Sequence, residues 1–411
     1  MIMSYRASER SPIVPRMRPW NFPQELSLAL VFFLGFLSYT TNDDKTVIYI
    51  ATLLLFLVAV ASQGFRIALS SQARFFSILY FLIVFLSILV NFYQVGLPIQ
   101  VMAYPCIFFI GIGMLWRIYL ISSSVKFFIV GIFLLNAVVA LLSIGLNVSS
   151  IPVFGDITRG RYIFFTNFRS SAGMLWNVNY FALCQAVGFW VSYSLLMSSV
   201  GVNKSKLLSI SVLIFLAVSV FFGSSRSISV LFLSTIFFGF FKRSKLFFLF
   251  LIIIALIIGV NIYEFYLQNS DFIHEALRLN RGLNSRDEIW LSGLIVHEGS
   301  PFFGYGSTNE VGRLLLVNGS PTTSVQSSFF AYLLLFGWLG LVFFLAVVLR
   351  TFVLAFYRMD SEPAALGALC NILLLVGDSF SRTFILGGVG LLPLVFLASI
   401  GFFLRSPYRK V

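Results

Sequence analysis

The sequence predicts an all-α polytopic membrane protein, folded as a single integral membrane domain with about twelve transmembrane helices. Two observations lead to this prediction. Of the 411 residues, 59% are hydrophobic and only 10% are charged, and the mean hydropathy is +0.96. Apolar runs of about 20 residues, the length that crosses a bilayer core of roughly 30 Å, recur along the whole chain. This composition excludes a soluble globular protein.

Short polar connections separate the predicted spans, with one exception. Between the ninth and tenth spans lies a long segment, 264–326, which is rich in charged residues and is predicted to be one long loop. No connection is long enough for a separate soluble domain, so 1–411 is predicted to be one domain. The spans, taken in order, are 26–41, 46–64, 75–92, 99–116, 127–147, 176–199, 207–223, 227–241, 246–263, 327–349, 364–378 and 383–404.

The charges of the connections predict the orientation. From a cytoplasmic N-terminal tail, 1–25, every connection on the cytoplasmic side carries Lys or Arg. An even number of spans then returns the C-terminal tail, 405–411, to the cytoplasm. The excess of 28 Lys and Arg over 15 Asp and Glu therefore indicates topology rather than nucleic-acid binding. The basic cytoplasmic connections are 66–74, 117–126, 204–206, 242–245 and 350–358.

Arginines on the opposite face require a separate cause, because positive charge there opposes the topological bias. Lys45 is the one lysine that the predicted topology places on that face. A guanidinium is a planar fork of donors that matches phosphate, so this preference predicts binding of a diphosphate. Two simpler explanations stay open: contact with lipid headgroups, and pairing with carboxylates of the long loop. The arginines are Arg159, Arg161, Arg169, Arg226, Arg278, Arg281, Arg286, Arg313 and Arg382.

Several short patterns fall on this face in a fixed order. They are a tight turn with an arginine, an arginine and a tryptophan one helical turn apart, a Gly/Pro turn, and a pair of glycines in the next span. In the sequence these are Gly223-Ser-Ser-Arg226, Arg286-Asp-Glu-Ile-Trp290, Ser300-Pro-Phe-Phe-Gly-Tyr-Gly306 and Gly337-Trp-Leu-Gly340, preceded by Trp176-Asn-Val-Asn179. Together they resemble the O-antigen ligase and O-antigen polymerase superfamily of bacterial polysaccharide assembly.

The resemblance implies a metal-independent membrane glycosyltransferase that needs no cofactor. Its donor would be a glycan on undecaprenyl diphosphate, bound at the periplasmic face of the inner membrane. Arg226 and Arg286 are the predicted catalytic residues, which would neutralise the diphosphate as it leaves. The implied partners are the lipid-linked oligosaccharide, membrane lipid and a chain-length regulator, with no nucleic acid. Weaker candidates for binding the same substrate are Arg161, Arg169, Arg281 and Arg382.

One position departs from the family pattern. Where the ligases carry the histidine that activates the acceptor, this chain has Gln326, which cannot act as a general base. The departure favours a repeat-unit polymerase over an O-antigen ligase, and Gln326 is predicted to bind substrate. Asp287 and Glu288 lie nearest to Arg286 as candidate bases, but helical neighbours at i+1 and i+2 point elsewhere, so a solvated face or a salt bridge explains them better. His297 is expected to be structural.

A lipid-linked sugar flippase or another transporter is the second alternative, since twelve spans also suit that class. Against it, the sequence shows no pair of broken spans in matching halves and almost no charge inside the spans. Asp378, at the end of the eleventh span, either completes the arginine pocket or holds a loop. Cys106, Cys184 and Cys370 lie in apolar runs and predict neither a metal site nor a disulfide.

Overall fold

The computed structural model describes residues 22–40, 50, 51, 54, 70–95, 99–121, 124–147, 163, 168–175, 177–197, 203–243, 286–358, 363–380 and 390–405. Within these ranges the chain is all-helical and contains no β-strand. The helices are α1 Phe22–Leu37, α2 Ser71–Val95, α3 Ile99–Met114, α4 Val125–Gly145, α5 Val178–Met197, α6 Asn203–Ser219, α7 Arg226–Arg243, α8 Arg286–Glu298, α9 Thr308–Val317, α10 Ser328–Arg358, α11 Pro363–Asp378 and α12 Leu391–Leu404.

Six stretches of helix in the described part are long and apolar enough to cross a membrane. Four shorter apolar helices accompany them, and together they lie at ten of the predicted spans. The prediction of an all-helical chain suited to a membrane is confirmed to this extent. Predicted spans 46–64 and 246–263 lie outside the described residues, apart from helical residues 50, 51 and 54. The six long stretches are Ser71–Asn91, Val101–Leu120, Val125–Gly145, Val178–Met197, Lys206–Gly223 and Ser328–Tyr357.

The outer surface of these helices is apolar. On α10 the exposed side chains recur every three or four residues, at Trp338, Val342, Leu345 and Leu349, so they form one stripe along the helix. Similar stripes run along α2, α4 and α6. Soluble proteins rarely expose contiguous apolar surface of this extent, so the surface is suited to lipid.

The centre of the bundle is formed by α5 and α12, whose side chains are buried almost throughout. Helix α11 packs tightly on α5, because a Cβ on Gly367 would lie only 1.9 Å from the Ser194 Oγ atom. Helix α7 is joined to α5 by a hydrogen bond of 2.9 Å from the Trp190 indole to the Thr235 hydroxyl. Small residues at such contacts let helix backbones approach closely.

The long segment predicted to be one loop contains two helices in the part that the structure describes. From Arg286 onward it contains α8 and α9, joined by a turn at 299–307, and a second turn at 318–327 leads into α10. Helix α9 is capped by Ser307, which precedes it and whose hydroxyl accepts from the Glu310 N–H at 3.3 Å. The part of the predicted loop before residue 286 lies outside the described residues.

Candidate functional site at one end of the bundle

The turn before α7 is pressed against the start of α5. The 3-10 helix Val220–Gly223 is followed by Ser224, whose φ of 47° is left-handed, and α7 begins at Arg226. A Cβ on Gly223 would lie 2.5 Å from the carbonyl oxygen of Val178, so only glycine permits this approach. Arg226 is partly exposed in the first turn of α7. A guanidinium at a helix N-terminus, where backbone N–H groups also point outward, favours an anion nearby.

A polar segment, 168–175, contacts the same turn. The Ser171 N–H donates to the carbonyl of Phe222 at 2.8 Å, which joins the segment to the turn. Arg169 belongs to this segment and is exposed. The structure therefore brings the segments that carry Arg169 and Arg226 into direct contact, although more than fifty residues separate them in sequence.

Two asparagines order the chain where it enters α5. The Asn136 side chain on α4 accepts from the Met174 N–H at 2.9 Å. The Asn177 Oδ1 atom accepts from the Asn179 N–H at 2.8 Å, which is an N-cap at the start of α5. The asparagine-rich pattern at the start of the sixth predicted span thus has a local structural role.

The turn that carries Gln326 contacts the end of α11. Gln326 is half-buried and has a left-handed φ of 48°, which is uncommon for a residue other than glycine. The Ser328 N–H donates to the Ser379 carbonyl at 2.8 Å, and the Ser327 hydroxyl donates to the same oxygen at 3.2 Å. Ser379 follows Asp378, which is fully buried at the end of α11. The predicted glutamine therefore lies beside the carboxyl end of α11.

Helix α11 in turn connects this region to α7. A Cβ on Gly377 would lie 2.6 Å from the Leu231 side chain, so the two helices are in close contact there. Leu231 is five residues after Arg226, or about 7.5 Å along the helix. Helices α5, α7 and α10 thus begin, and α11 ends, at the same end of the bundle. We call this end, defined by Val178, Arg226, Ser328 and Asp378, the arginine end.

Helix α8 joins the arginine end through its tryptophan. The Trp290 ring stacks on Phe330 in the first turn of α10, with ring centroids 5.9 Å apart and planes inclined by 14°. Arg286 is the first residue of α8 and lies one helical turn before Trp290. In the predicted pair of Arg286 and Trp290, the tryptophan has a structural role, because its stacked indole holds the start of α8 near the turn that carries Gln326. Predicted residues Arg161, Arg281 and Arg382 lie outside the described residues.

One of the arginines that the sequence predicts to be external has the simpler explanation that was left open. Arg313 on α9 forms a bidentate ion pair with Glu310, with nitrogen to oxygen distances of 2.5 and 2.9 Å. The hydrogen bonds from Arg313 lower the pKa of the Glu310 carboxyl. A paired guanidinium has little capacity left for phosphate, so Arg313 is a poor candidate for binding the substrate.

His297 lies at the other end of α8 from Arg286. Eleven residues separate them, which is about 16 Å along the helix axis. His297 is buried, and its ring meets the edge of Trp338 at a centroid distance of 5.6 Å. Burial lowers the pKa of His297, which keeps the ring neutral at pH 7. The distance from Arg286 and the packing on Trp338 agree with the expected structural role.

The glycine pair in α10 marks a break in that helix. Gly337 has φ 63° and ψ −161°, values that only glycine adopts readily, and a Cβ there would lie 2.2 Å from the carbonyl carbon of Phe302. The turn 300–306 therefore touches the backbone of α10 at the break. Sequence reasoning found the Gly/Pro turn and the glycine pair as separate patterns and did not find that they meet.

Four backbone hydrogen bonds join the turn to the broken helix. The N–H groups of Tyr305 and Gly306 donate, each at 2.8 Å, to two carbonyls before the break. Two N–H groups after the break donate to the carbonyls of Pro301 and Phe302, at 2.9 and 3.4 Å. The turn thus replaces hydrogen bonds that the break removes. The partners on α10 are, in the same order, Leu334, Leu335, Trp338 and Leu339.

Helix α2 fastens the same turn with two polar side chains. The Asn91 amide donates to the carbonyl of Gly304 at 2.8 Å, and the Ser87 hydroxyl binds the carbonyl of Phe303. Ser87 also lies 3.1 Å from the carbonyl oxygen of Leu335. Both residues are buried. Sequence reasoning missed these two polar residues of α2. Their spacing of four residues, which places both on one face of the helix, was the available signal.

Among the described residues, no group of three or more His, Cys, Asp or Glu side chains is arranged to hold a metal ion.

Comparison with known proteins does not assign this chain to a family. No protein-family model matches the sequence. No curated protein sequence matches it either.

Proposed function

We propose that this protein is a polysaccharide repeat-unit polymerase of the O-antigen type. It would transfer a growing glycan from undecaprenyl diphosphate to the next lipid-linked repeat unit, without a metal or a cofactor. One observation supports the proposal most: the segments of Arg169 and Arg226, the turn of Gln326 and the helix that begins at Arg286 are linked by direct contacts at the arginine end.

The electrostatics of the arginine end suit a leaving diphosphate. Each helix N-terminus carries a partial positive charge of roughly half an elementary charge, and α5, α7 and α10 all begin at this end. Arg226 adds a full charge in the first turn of α7. As the glycosidic bond to the diphosphate breaks, negative charge develops on the leaving oxygen, and fixed positive groups stabilise it. In this proposal Arg226 and Arg286 do this, while Arg169 helps to bind the donor.

The acceptor side favours a polymerase over a ligase. A glutamine amide donates and accepts hydrogen bonds but takes no proton at neutral pH, so Gln326 would orient a sugar hydroxyl rather than deprotonate it. Its left-handed backbone directs the turn 318–327 into α10 beside the end of α11. A ligase that uses a histidine base at this position would work differently.

The proposed setting is the bacterial inner membrane. The full arrangement would have twelve spans, both termini in the cytoplasm, and a long periplasmic segment between the ninth and tenth spans. The arginine end would then face the periplasm. The lipid-linked oligosaccharide and membrane lipid would be its partners, together with a chain-length regulator.

The decisive experiment is deletion of the gene in its own host, with the surface polysaccharide separated on a gel. Complementation with the wild type should restore a ladder, whereas Arg226→Ala and Arg286→Ala at matched membrane levels should leave single repeat units on the core. Arg313→Ala is the matched control, because that arginine is already paired with Glu310, and it should restore the full ladder.

Other outcomes would change the assignment. Loss of all core-linked repeat units after deletion would indicate the ligase reaction in spite of Gln326. Full rescue by both arginine variants would contradict the role of the arginine end.

A transporter is the second candidate, and the break of α10 at Gly337 is the observation that favours it. Broken helices in transporters expose backbone carbonyls that bind ions or substrate. Here the carbonyls of Leu334 and Leu335 already accept from Tyr305 and Gly306, which weighs against that use. Accumulation of lipid-linked single units on the cytoplasmic face after deletion would support transport instead.

A further inference from the structure

The lengths of α2 and α10 give the distance of the turn 300–306 from the opposite end of the bundle. At that end the Arg350 side chain donates to the Gln72 Oε1 atom at 3.2 Å, so these residues share one level. Fifteen residues separate Gln72 from Ser87, and fifteen separate Leu335 from Arg350. Since Ser87 also binds Leu335, both helices place the turn about 22 Å from the level of Gln72 and Arg350. This is less than the roughly 30 Å of a hydrocarbon core.

The exposed side chains of α2 show how far a lipid-covered surface extends. Leu89 and Val90 are 57% and 56% exposed, and both lie beyond Ser87 toward the arginine end. Phe85, on the other side of Ser87, is also exposed. Apolar side chains exposed to this degree are stable when lipid covers them. The apolar surface of α2 therefore continues past the level at which Ser87 holds the turn.

We propose that α8 and the turn 300–306 form a re-entrant hairpin that enters the bilayer from the arginine end, with an apolar side that contacts lipid acyl chains. Backbone that is not helical occurs at membrane depth only where protein groups satisfy its N–H and C=O groups. The turn meets this condition, because four backbone bonds join it to α10, and Ser87 and Asn91 bind two further carbonyls. The inference is independent of the proposed reaction.

The lipid-facing side of the hairpin consists of exposed apolar side chains next to those of α10. Leu294 and Ile295 on α8 are exposed, and Phe302 at the turn is 64% exposed. Trp338, the first residue of the exposed stripe on α10, lies beside them, since its N–H donates to the turn. Exposure to water costs roughly 25 cal/mol for each Å² of such surface, whereas acyl chains cover it without that cost. The exposed Glu298 lies between Ile295 and Phe302 in the chain, so this surface includes one carboxyl group.

The test measures how fast single cysteines react with a charged maleimide in open membrane fragments, where the reagent reaches both faces. The parent is the full chain with Cys106→Ala, because Cys106 is exposed while Cys184 and Cys370 are buried. Phe302→Cys and Ile295→Cys are the two test variants. Using two positions on different parts of the hairpin protects the test against a substitution that disturbs local packing.

Two further cysteines calibrate the rates. Leu89→Cys on α2 is the lipid reference, and Ser324→Cys in the exposed turn before α10 is the water reference. A cost of only 1.4 kcal/mol for bringing the charged maleimide to a cysteine slows the reaction about tenfold. The cost of a charge at the bilayer centre is larger than this. Both test cysteines should therefore react at least about tenfold more slowly than Ser324→Cys, and at a rate close to Leu89→Cys. Reaction of both at the rate of Ser324→Cys, with equal total thiol after denaturation, would overturn the proposal and leave the hairpin as a lid in water.

Discussion

The break in α10 makes Gly337→Ala the most informative substitution. The new Cβ would lie 2.2 Å from the Phe302 carbonyl carbon and 2.3 Å from its oxygen, so either the turn 300–306 moves or the helix straightens. If the turn stays, a backbone conformation reserved for glycine costs about 1–3 kcal/mol and overpacking costs about 1–3 kcal/mol more. If the turn leaves, four backbone hydrogen bonds are lost, at about 0.5–1.5 kcal/mol each. Both routes give a destabilisation of about 2–6 kcal/mol.

The assay is thermal unfolding in detergent, followed with a thiol-reactive fluorescent dye. Cys184 and Cys370 are fully buried and report unfolding, and Cys106→Ala removes the exposed thiol from every variant. Gly337→Ala should lower the midpoint by roughly 5 °C or more. The matched control is Gly131→Ala in α4, where a Cβ meets nothing within 4 Å, and this change should leave the midpoint equal or slightly higher. Equal midpoints for Gly337→Ala and Gly131→Ala would refute the reasoning.

Two further predictions concern the ends of α8 and α5. Burial lowers the pKa of His297 below its unfolded value of about 6.5. The contribution of the neutral ring to stability is therefore complete above that unfolded pKa, and it is lost as the pH falls from there through the lowered pKa of the folded state. The unfolding midpoint should therefore fall less between pH 7.5 and pH 5 in His297→Phe, which keeps a ring against Trp338, than in the wild type; an equal fall in both would contradict this. Asn177→Ala removes the cap of α5 and should cost about 1 kcal/mol, measured by the same dye, whereas Asn177→Ser should restore most of it.

Local sequence patterns predicted the helices well. Hydrophobicity over about 20 residues is a local property, and the structure has apolar helices at ten of the predicted spans. The pairing of Arg286 with Trp290 on one helix was also local, because it depends only on the helical repeat. Residues Arg161, Arg281 and Arg382 stay predictions, since they lie outside the described residues.

Contacts between distant segments could not be read from the sequence. Gly337 and the turn 300–306 each looked like an ordinary helix-breaking pattern. Only the fold shows that the turn packs against the break in α10 and forms hydrogen bonds with it. Arg313 is a local case: Glu310 lies three residues before it on α9, so the spacing allowed an ion pair, and the structure shows that the pair forms. That pairing was the simpler explanation, and side-chain geometry decided it.

The sequence by itself predicted an all-helical chain suited to a membrane, because apolar runs of about 20 residues form helices that satisfy their own backbone hydrogen bonds in lipid. It also marked the arginines that the predicted topology places against the charge bias. Only the tertiary structure decided which segments meet. The arginine end is formed by the starts of α5, α7 and α10 and the end of α11, which lie far apart in the chain. The hydrogen bonds and close glycine contacts that join them depend on distances in space, which no local pattern encodes.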